Sequence, residues 1–209
     1  MLNDPYVYDN GTLINKLNIK DEKILKKAER KYTKIRERET LPKGNFDYAH
    51  LKAIHYHLFQ DVYDWAGKER TVNIAKNDLF CLNYRIESET NKTLDKLEQD
   101  DFLKGIFDKD IFIKKFTSYF ADINAYHPFR EGNGRTTRAF FSHLAKEAGY
   151  RLDFAKLNIN NKEWISASIE SFNGNNSKLE NIISNITTKT FKQKRLERRA
   201  KSNNINLSR

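Results

Sequence analysis

Residues 127 to 138 bring together one histidine, one glutamate, two glycines around an asparagine, and three arginines: His127-Pro-Phe-Arg-Glu-Gly-Asn-Gly-Arg-Thr-Thr-Arg138. Gly132-Asn133-Gly134 at a helix entrance lets successive backbone N–H groups converge on one spot, because glycine accepts positive φ. Added to the positive end of the helix dipole, those amides make an anion-binding nest. Arg135 and Arg138, three residues apart, share one face of the opening turns and can reach phosphate oxygens. Arginines there oppose the dipole, a cost that a bound anion reverses. Glu131 beside the nest can hold the Mg²⁺ that travels with polyphosphate. His127 suits a general base for a hydroxyl near neutral pH, and Phe129 anchors the loop in the core. Base, metal ligand, oxyanion nest and cationic clamp outline a phosphoryl- or nucleotidyl-transfer site. No G-x-x-x-x-G-K-[ST] run is present, so the site is not a Walker A loop.

The elements that must position these residues read as mostly helical. Residues 1–20 are expected to be irregular, with turns at Asp4-Pro5 and Asn10-Gly11. A helix is expected from Asp21, with an inner stripe of Leu25, Ala28, Tyr32 and Ile35, stopped by Thr40-Leu-Pro42. Asp47 can cap a second helix whose stripe is Leu51, Ile54 and Leu58 and which runs to about Gly67. Thr71-Val-Asn-Ile74 and Leu79-Phe-Cys-Leu82, around Ala75 to Asp78, read as a small β-hairpin. Helical periodicity resumes at 86–99 and 110–126. Another helix follows the glycine-bearing interruption and closes at Gly149. Helices at about 161–172 and 177–188 complete the body, the last opened by Ser177-Lys-Leu-Glu180 as a capping box.

The composition excludes several classes. The 209 residues are 38% hydrophobic and carry only three prolines and eight glycines, which suits a helical globular domain. Cys81 is the single cysteine, so no intrachain disulfide or cysteine zinc site can form. No leader or membrane span is visible in the sequence, and a cytoplasmic protein is expected. The net charge of +10 invites a nucleic-acid reading until it is mapped. Residues 189–209 hold eight Lys/Arg against Glu197 alone, so +7 of the charge belongs to a basic tail. The body is close to neutral, so neither a membrane nor nucleic acid is expected as a partner, except that the tail offers a nucleic acid or acidic partner a basic contact. His55 and His57, two apart on a helix, make poor metal partners; Trp65 and Trp164 read as packing residues.

His127 to Arg138 matches every specified position of HPFx[DE]GNGRxxR, the motif of the Fic family. The resemblance extends to Asp4-Pro-Tyr6, to His50-Leu-Lys-Ala-Ile-His55, to Phe59-Gln-Asp-Val-Tyr-Asp-Trp-Ala-Gly67 and to Arg70-Thr-Val-Asn-Ile74. It spans roughly residues 4–188, so a Fic domain with an N-terminal extension at 1–188 and a basic tail at 189–209 is expected. The resemblance implies a Fic-type helical core with one β-hairpin flap, and a protein adenylyltransferase that moves AMP from Mg-ATP to a Tyr, Thr or Ser hydroxyl of a target protein. Carried over by motif position, His127 is the catalytic base and Glu131 the Mg²⁺ ligand. Gly132, Asn133 and Gly134 hold the α/β-phosphates, Asn133 also through its side chain, and Arg135 and Arg138 hold the outer ones. The hairpin resembles the Fic flap: Ala75 and Lys76 line the nucleotide site, and Val72, Asn73, Ile74, Phe80 and Leu82 register the target segment. Its continuation through Asn77-Asp78 departs from the common flap pattern, which bears on target preference. UMP, phosphocholine or phosphate transfer on the same fold, and a non-enzymatic binding module using the tail, are the alternatives. An inhibitory [ST]xxxE[GN] helix is incomplete throughout: Thr33 to Glu37 is followed by Arg38, Ser166 to Glu170 by Ser171, and Glu180-Asn181 lacks the leading Ser/Thr. Inhibition by a small antitoxin-like partner that supplies a glutamate to Arg138 is therefore expected. Delivery of the enzyme to a host cell is compatible with the same reading.

Overall fold

The computed structural model describes residues 4–76, 79–157 and 162–207, with the side chains of 201 and 203–207 outside the description. The expected Asn77-Asp78 hairpin tip lies outside the described residues. The chain divides into two compact units, Met1–Lys92 with Tyr126–Ala139, and Thr93–Ala125 with Phe140–Arg209.

The first unit opens with a small turn at the expected Asn10-Gly11 position. An isolated antiparallel bridge joins Val7 and Leu13 around Gly11, whose φ of 81° the turn requires. Helix α1 (Glu22–Arg36) starts where Asp21 accepts from the Ile24 amide at 2.8 Å. Its buried residues are Leu25, Glu29 and Thr33, while Ile35 is 48% exposed, so the inward face is more polar than the expected stripe. Helix α2 (Tyr48–Phe59) is capped by Asp47, which accepts from the His50 amide at 2.7 Å. It ends at Phe59, and turns rather than helix carry the chain to Gly67. Leu51, Ile54, Leu58, Phe59 and Val62 are fully buried, and Arg36 grips Asp61 with Nε and Nη2 at 2.7 and 2.8 Å. That pairing holds the Asp61 carboxyl below the usual carboxylate range.

Helix α3 (Ile86–Gln99) and helix α4 (Lys109–Tyr126) follow the expected spans. Helix α5 (Asn133–Glu147) begins inside the motif; its first turns belong to the first unit. In the second unit, strands β1 (Tyr150–Leu152) and β2 (Thr187–Lys189) form an antiparallel pair, Tyr150 opposite Lys189. This pairing links segments thirty-odd residues apart, beyond the reach of a hairpin signal. Helices α6 (Lys162–Phe172) and α7 (Ser177–Ile186) lie between these strands in sequence. Ser177 is already helical and Asn176 makes no side-chain cap bond, so the expected capping box is not formed. The core of this unit is aromatic: Phe112 stacks on Tyr150 at 3.8 Å, and Phe120 meets Phe141 and Trp164. Trp164 is thus a packing residue, as expected. Helix α8 (Phe191–Leu207) ends the description. No described helix is long and apolar enough to cross a membrane.

Candidate active site

The site lies within the first unit and is built around the loop between α4 and α5. Phe129 is 1% exposed and stacks on His55 at 3.9 Å, which pins the loop as the sequence suggested. Arg130 donates through Nε and Nη2 to Asp4, tying the loop to the N-terminal segment. Tyr6 packs edge-on against Trp65, which stacks on Tyr63, so Trp65 is a packing residue too.

His55 is the support that sequence reasoning undervalued. It is fully buried, accepts from the Gly67 amide at Nδ1 (2.8 Å), and its Nε2 lies 3.0 Å from the Glu131 carbonyl. An acceptor at Nδ1 and a carbonyl at Nε2 fix the neutral Nε2–H tautomer. Burial drives its pKa down to about 3, with the neighbouring Arg135 charge acting in the same direction. Spacing alone excluded His55 as a metal partner, and nothing local announced that its ring would brace residue 131. His57 likewise meets a carbonyl, that of Arg36, at 3.0 Å.

The Gly-Asn-Gly segment differs from expectation in two details. The Asn133 side chain is closed on the loop: Oδ1 accepts from the Phe129 amide at 2.8 Å and Nδ2 donates to the Phe129 carbonyl at 2.7 Å. The side-chain amide thus braces the loop through both its oxygen and its nitrogen, with one of the two Nδ2 hydrogens outside these bonds. The Gly132 amide donates to Glu131 Oε1 at 2.8 Å, so this carboxylate already occupies one nest donor. Gly132 is there for shape. Its φ is 84°, and a Cβ would stand 2.3 Å from the Phe59 ring. Helix α5 starts at Asn133, and the amides of Asn133, Gly134 and Arg135 precede the first helical acceptor, Gly132 O to Thr136 N. Among the described residues no acceptor meets these three, which are the open donors of the nest.

The two arginines expected to act as a clamp are unlike each other. Arg135 is committed to α1: Nη2 donates to Glu29 at 2.5 Å, and its guanidinium sits 4.6 Å over the Phe59 ring. Glu29, with a side chain only 9% exposed, also accepts from the Tyr63 hydroxyl. Arg138 has no hydrogen-bond or ion-pair partner among the described residues. It is partly buried, and burial, reinforced by the Arg135 charge and opposed by Glu37, lowers its pKa to about 10. Its Nη1 lies 3.1 Å from where a Gly134 Cβ would stand, over the opening turn of α5. An unpaired cation beside open helix-terminal amides is a site for an anion.

His127 sits at φ 49°, and its ring stacks on Phe80 at 3.9 Å. Phe80 belongs to the expected flap, which is present as a single bridge, Ala75 with Leu79, and a bond from the Phe80 amide to the Ile74 carbonyl. Among the described residues of 71–82 no further ladder pairing accompanies that bridge. The flap base is closed by Asn83, whose backbone N–H donates to Asn73 Oδ1 at 2.8 Å and whose side chain donates to the Thr71 carbonyl. Val72 offers its carbonyl to Arg70; Leu82 is part-buried; Lys76 is exposed. Cys81 is a part-buried thiol whose pKa burial pushes up, which agrees with a packing role.

The residues suit a divalent cation of the Mg²⁺ kind. Glu131 is a hard oxygen donor, 47% exposed, with both of its contacts on Oε1. No cluster of three or more His, Cys, Asp or Glu able to hold a metal occurs among the described residues. One carboxylate completed by phosphate oxygens and water is how Mg²⁺ is commonly held.

With this geometry in place, comparison with known proteins is informative. The sequence profile of the Fic/DOC family matches residues 45–145. A protein of Sinorhizobium fredii named "Probable protein adenylyltransferase y4lH" is 42% identical over 82% of this chain and 89% of its own. The protein adenylyltransferase VbhT of Bartonella schoenbuchensis is 40% identical over 93% of this chain, which spans 41% of VbhT. The crystal structure of the BepC effector of Bartonella tribocorum, with bound AMPPNP, is similar with a TM-score of 0.81 at 28% identity. That match covers 88% of this chain and 97% of BepC.

Proposed function

The chain belongs to the Fic/DOC family, and from that premise we propose that it is a protein adenylyltransferase, moving AMP from ATP to a hydroxyl of a target protein. The observation that carries this reading is Arg138, a partly buried guanidinium over the amino-terminal turn of α5 that has no ion-pair partner among the described residues. Relatives named as protein adenylyltransferases and a nucleotide-bound structural neighbour support it.

His127 takes the proton of the attacking hydroxyl as its oxygen forms a bond to the α-phosphorus. The bond from that phosphorus to the bridging oxygen breaks, and pyrophosphate leaves with the electron pair. The Asn133 and Gly134 amides receive the phosphate oxygens at the helix terminus, and Arg138 meets the charge beyond them. Arg135 contributes positive potential while braced by Glu29. Glu131 would hold Mg²⁺, which supplies charge neutralisation on the phosphates when bound. The flap edge around Ile74 and Phe80 would align an extended target segment by strand-like pairing, with Lys76 near the nucleotide.

Control is proposed to act on Arg138. Glu37, the C-cap of α1, is near enough to raise its pKa but is not within ion-pair distance of it. A small partner supplying a glutamate to Arg138 would compete with nucleotide there. If the isolated chain stayed inactive until Glu37 was replaced, inhibition within the chain would take the place of this reading. A cytoplasmic setting is part of the proposal, supported by the single cysteine, Cys81, which suits a reducing compartment.

The deciding experiment supplies ATP labelled at the α-phosphate, with Mg²⁺ and a cell lysate, beside a His127→Ala control. Label on protein that disappears in the variant is expected. Label only from γ-labelled ATP would replace adenylyl transfer by phosphoryl transfer, and no label from either would reject both.

A further inference from the structure

Arg70 is 1% exposed, and among the described residues no carboxylate forms an ion pair with it. Its guanidinium is surrounded by main-chain carbonyls instead. Nε donates to His127 O at 2.8 Å, Nη1 to Val72 O at 2.7 Å, and Nη2 to Cys81 O at 2.5 Å and Tyr126 O at 3.2 Å. Its backbone N–H donates to Pro128 O at 2.9 Å. A guanidinium keeps its proton in proteins, so this is a buried cation whose hydrogen-bond partners are peptide carbonyls, with the Glu69 charge acting from farther off.

What it joins is specific. Val72 and Cys81 flank the two sides of the flap bridge at Ala75 and Leu79. Tyr126, His127 and Pro128 are the consecutive residues where α4 gives way to the catalytic loop, and His127 there holds a left-handed φ of 49°. A non-glycine residue held in that region is favoured where its surroundings fix the backbone. Three of those fixings come from Arg70. The flap returns the contact from the other side, because Phe80, adjacent to Cys81, stacks on the His127 ring at 3.9 Å.

We propose that Arg70 is a positioning residue that couples the flap to His127, so that the target-docking edge and the proton-accepting imidazole are set by one guanidinium. The inference rests on the adenylyl-transfer reading for the task of His127, and it adds a residue outside the family motif. Lysine cannot replace this arrangement, since its donors radiate from one atom while the carbonyls lie around a planar fork.

The test compares the full chain with Arg70→Lys and Arg70→Gln. Hydrogen exchange of backbone amides in the flap, Phe80 foremost, should accelerate about tenfold or more in the folded variants while α2 stays unchanged. Affinity for AMPPNP should stay within about threefold of wild type because the helix terminus and Arg138 are untouched, while transfer of the α-label should fall at least about thirtyfold. Wild-type flap exchange in a folded Arg70→Lys protein would overturn the proposal. So would equal losses of AMPPNP binding and transfer. Should both variants fail to fold, ¹⁵N-arginine NMR of the wild type decides: the Arg70 Nε–H and the Phe80 amide should become exchangeable together as urea is raised. An Nε–H that stays protected after the flap has opened would refute the coupling. A wild type that labels no protein would reject adenylyl transfer itself, while the exchange measurements would still judge the coupling.

Discussion

At the scale of single residues, burial and pairing separate side chains that a motif treats alike. Arg135 and Arg138 occupy equivalent-looking motif positions, but among the described residues only Arg135 has a carboxylate partner. Arg135→Ala would leave Glu29 without its counter-charge and should cost about 3 kcal/mol or more of stability. Arg138→Ala removes an uncompensated cation and should leave the melting temperature nearly unchanged. It should instead weaken AMPPNP binding about 10- to 100-fold, the value of one charge-assisted contact to phosphate. Thermal melts beside calorimetric titration of both variants test this contrast. His55 makes a pH prediction. Its pKa is about 3 when folded, against an ordinary value of 6.5, so between those values the unfolded chain binds the extra proton. The stability contributed by neutral His55 is complete above about pH 6.5 and is lost as pH falls toward 3, at up to about 1.4 kcal/mol per pH unit. Urea titrations across that range should show a slope that His55→Gln lacks; an identical slope in the variant would exclude His55 as its source.

At the scale of elements, the junction between the loop and α5 is set by shape before charge. Gly132 combines a positive φ with direct contact to Phe59, so two penalties act together on any side chain. Gly132→Ala should lose about 3 kcal/mol, from strain and overpacking combined. Gly134→Ala should lose less, since its Cβ would meet only the mobile end of Arg138, at 3.1 Å. Denaturant midpoints of the two variants test the order. Helix α1 shows why an apolar stripe can mislead: Glu29 and Thr33 face inward because Arg135 comes to meet them from more than a hundred residues away.

At the scale of the whole molecule, the basic charge and the structural role of the C-terminal segment separate. Lys192, Lys194, Arg195, Arg198 and Arg199 are all exposed on α8, while Gln193 is 4% exposed and donates to the Ile106 carbonyl at 3.0 Å. Lys189 at the end of β2 pairs with Glu197 at 2.7 Å. Replacing the five cations with glutamine should shift stability by no more than about 0.5 kcal/mol each. Deleting 191–209 should destabilise the second unit by about 2 kcal/mol or more through the buried carbonyl and packing left uncovered. Melting curves of the two proteins distinguish a solvated basic face from a helix whose charges themselves hold the unit together.

What the sequence by itself determined is whatever rests on neighbours a few residues apart. Asp21 and Asp47 cap their helices, and α5 opens at the Gly-Asn-Gly segment, because these depend on contacts within about one helical turn. The twelve motif residues were legible for the same reason: the chemistry is written contiguously. The tertiary structure alone decided how the motif is braced and which of its groups stay open. His55 reaches Glu131, Glu29 takes Arg135, and Arg70 joins the flap to His127 across separations of 57 to 106 residues. Such pairings depend on where buried charges and carbonyls find partners after packing, and no local periodicity encodes that.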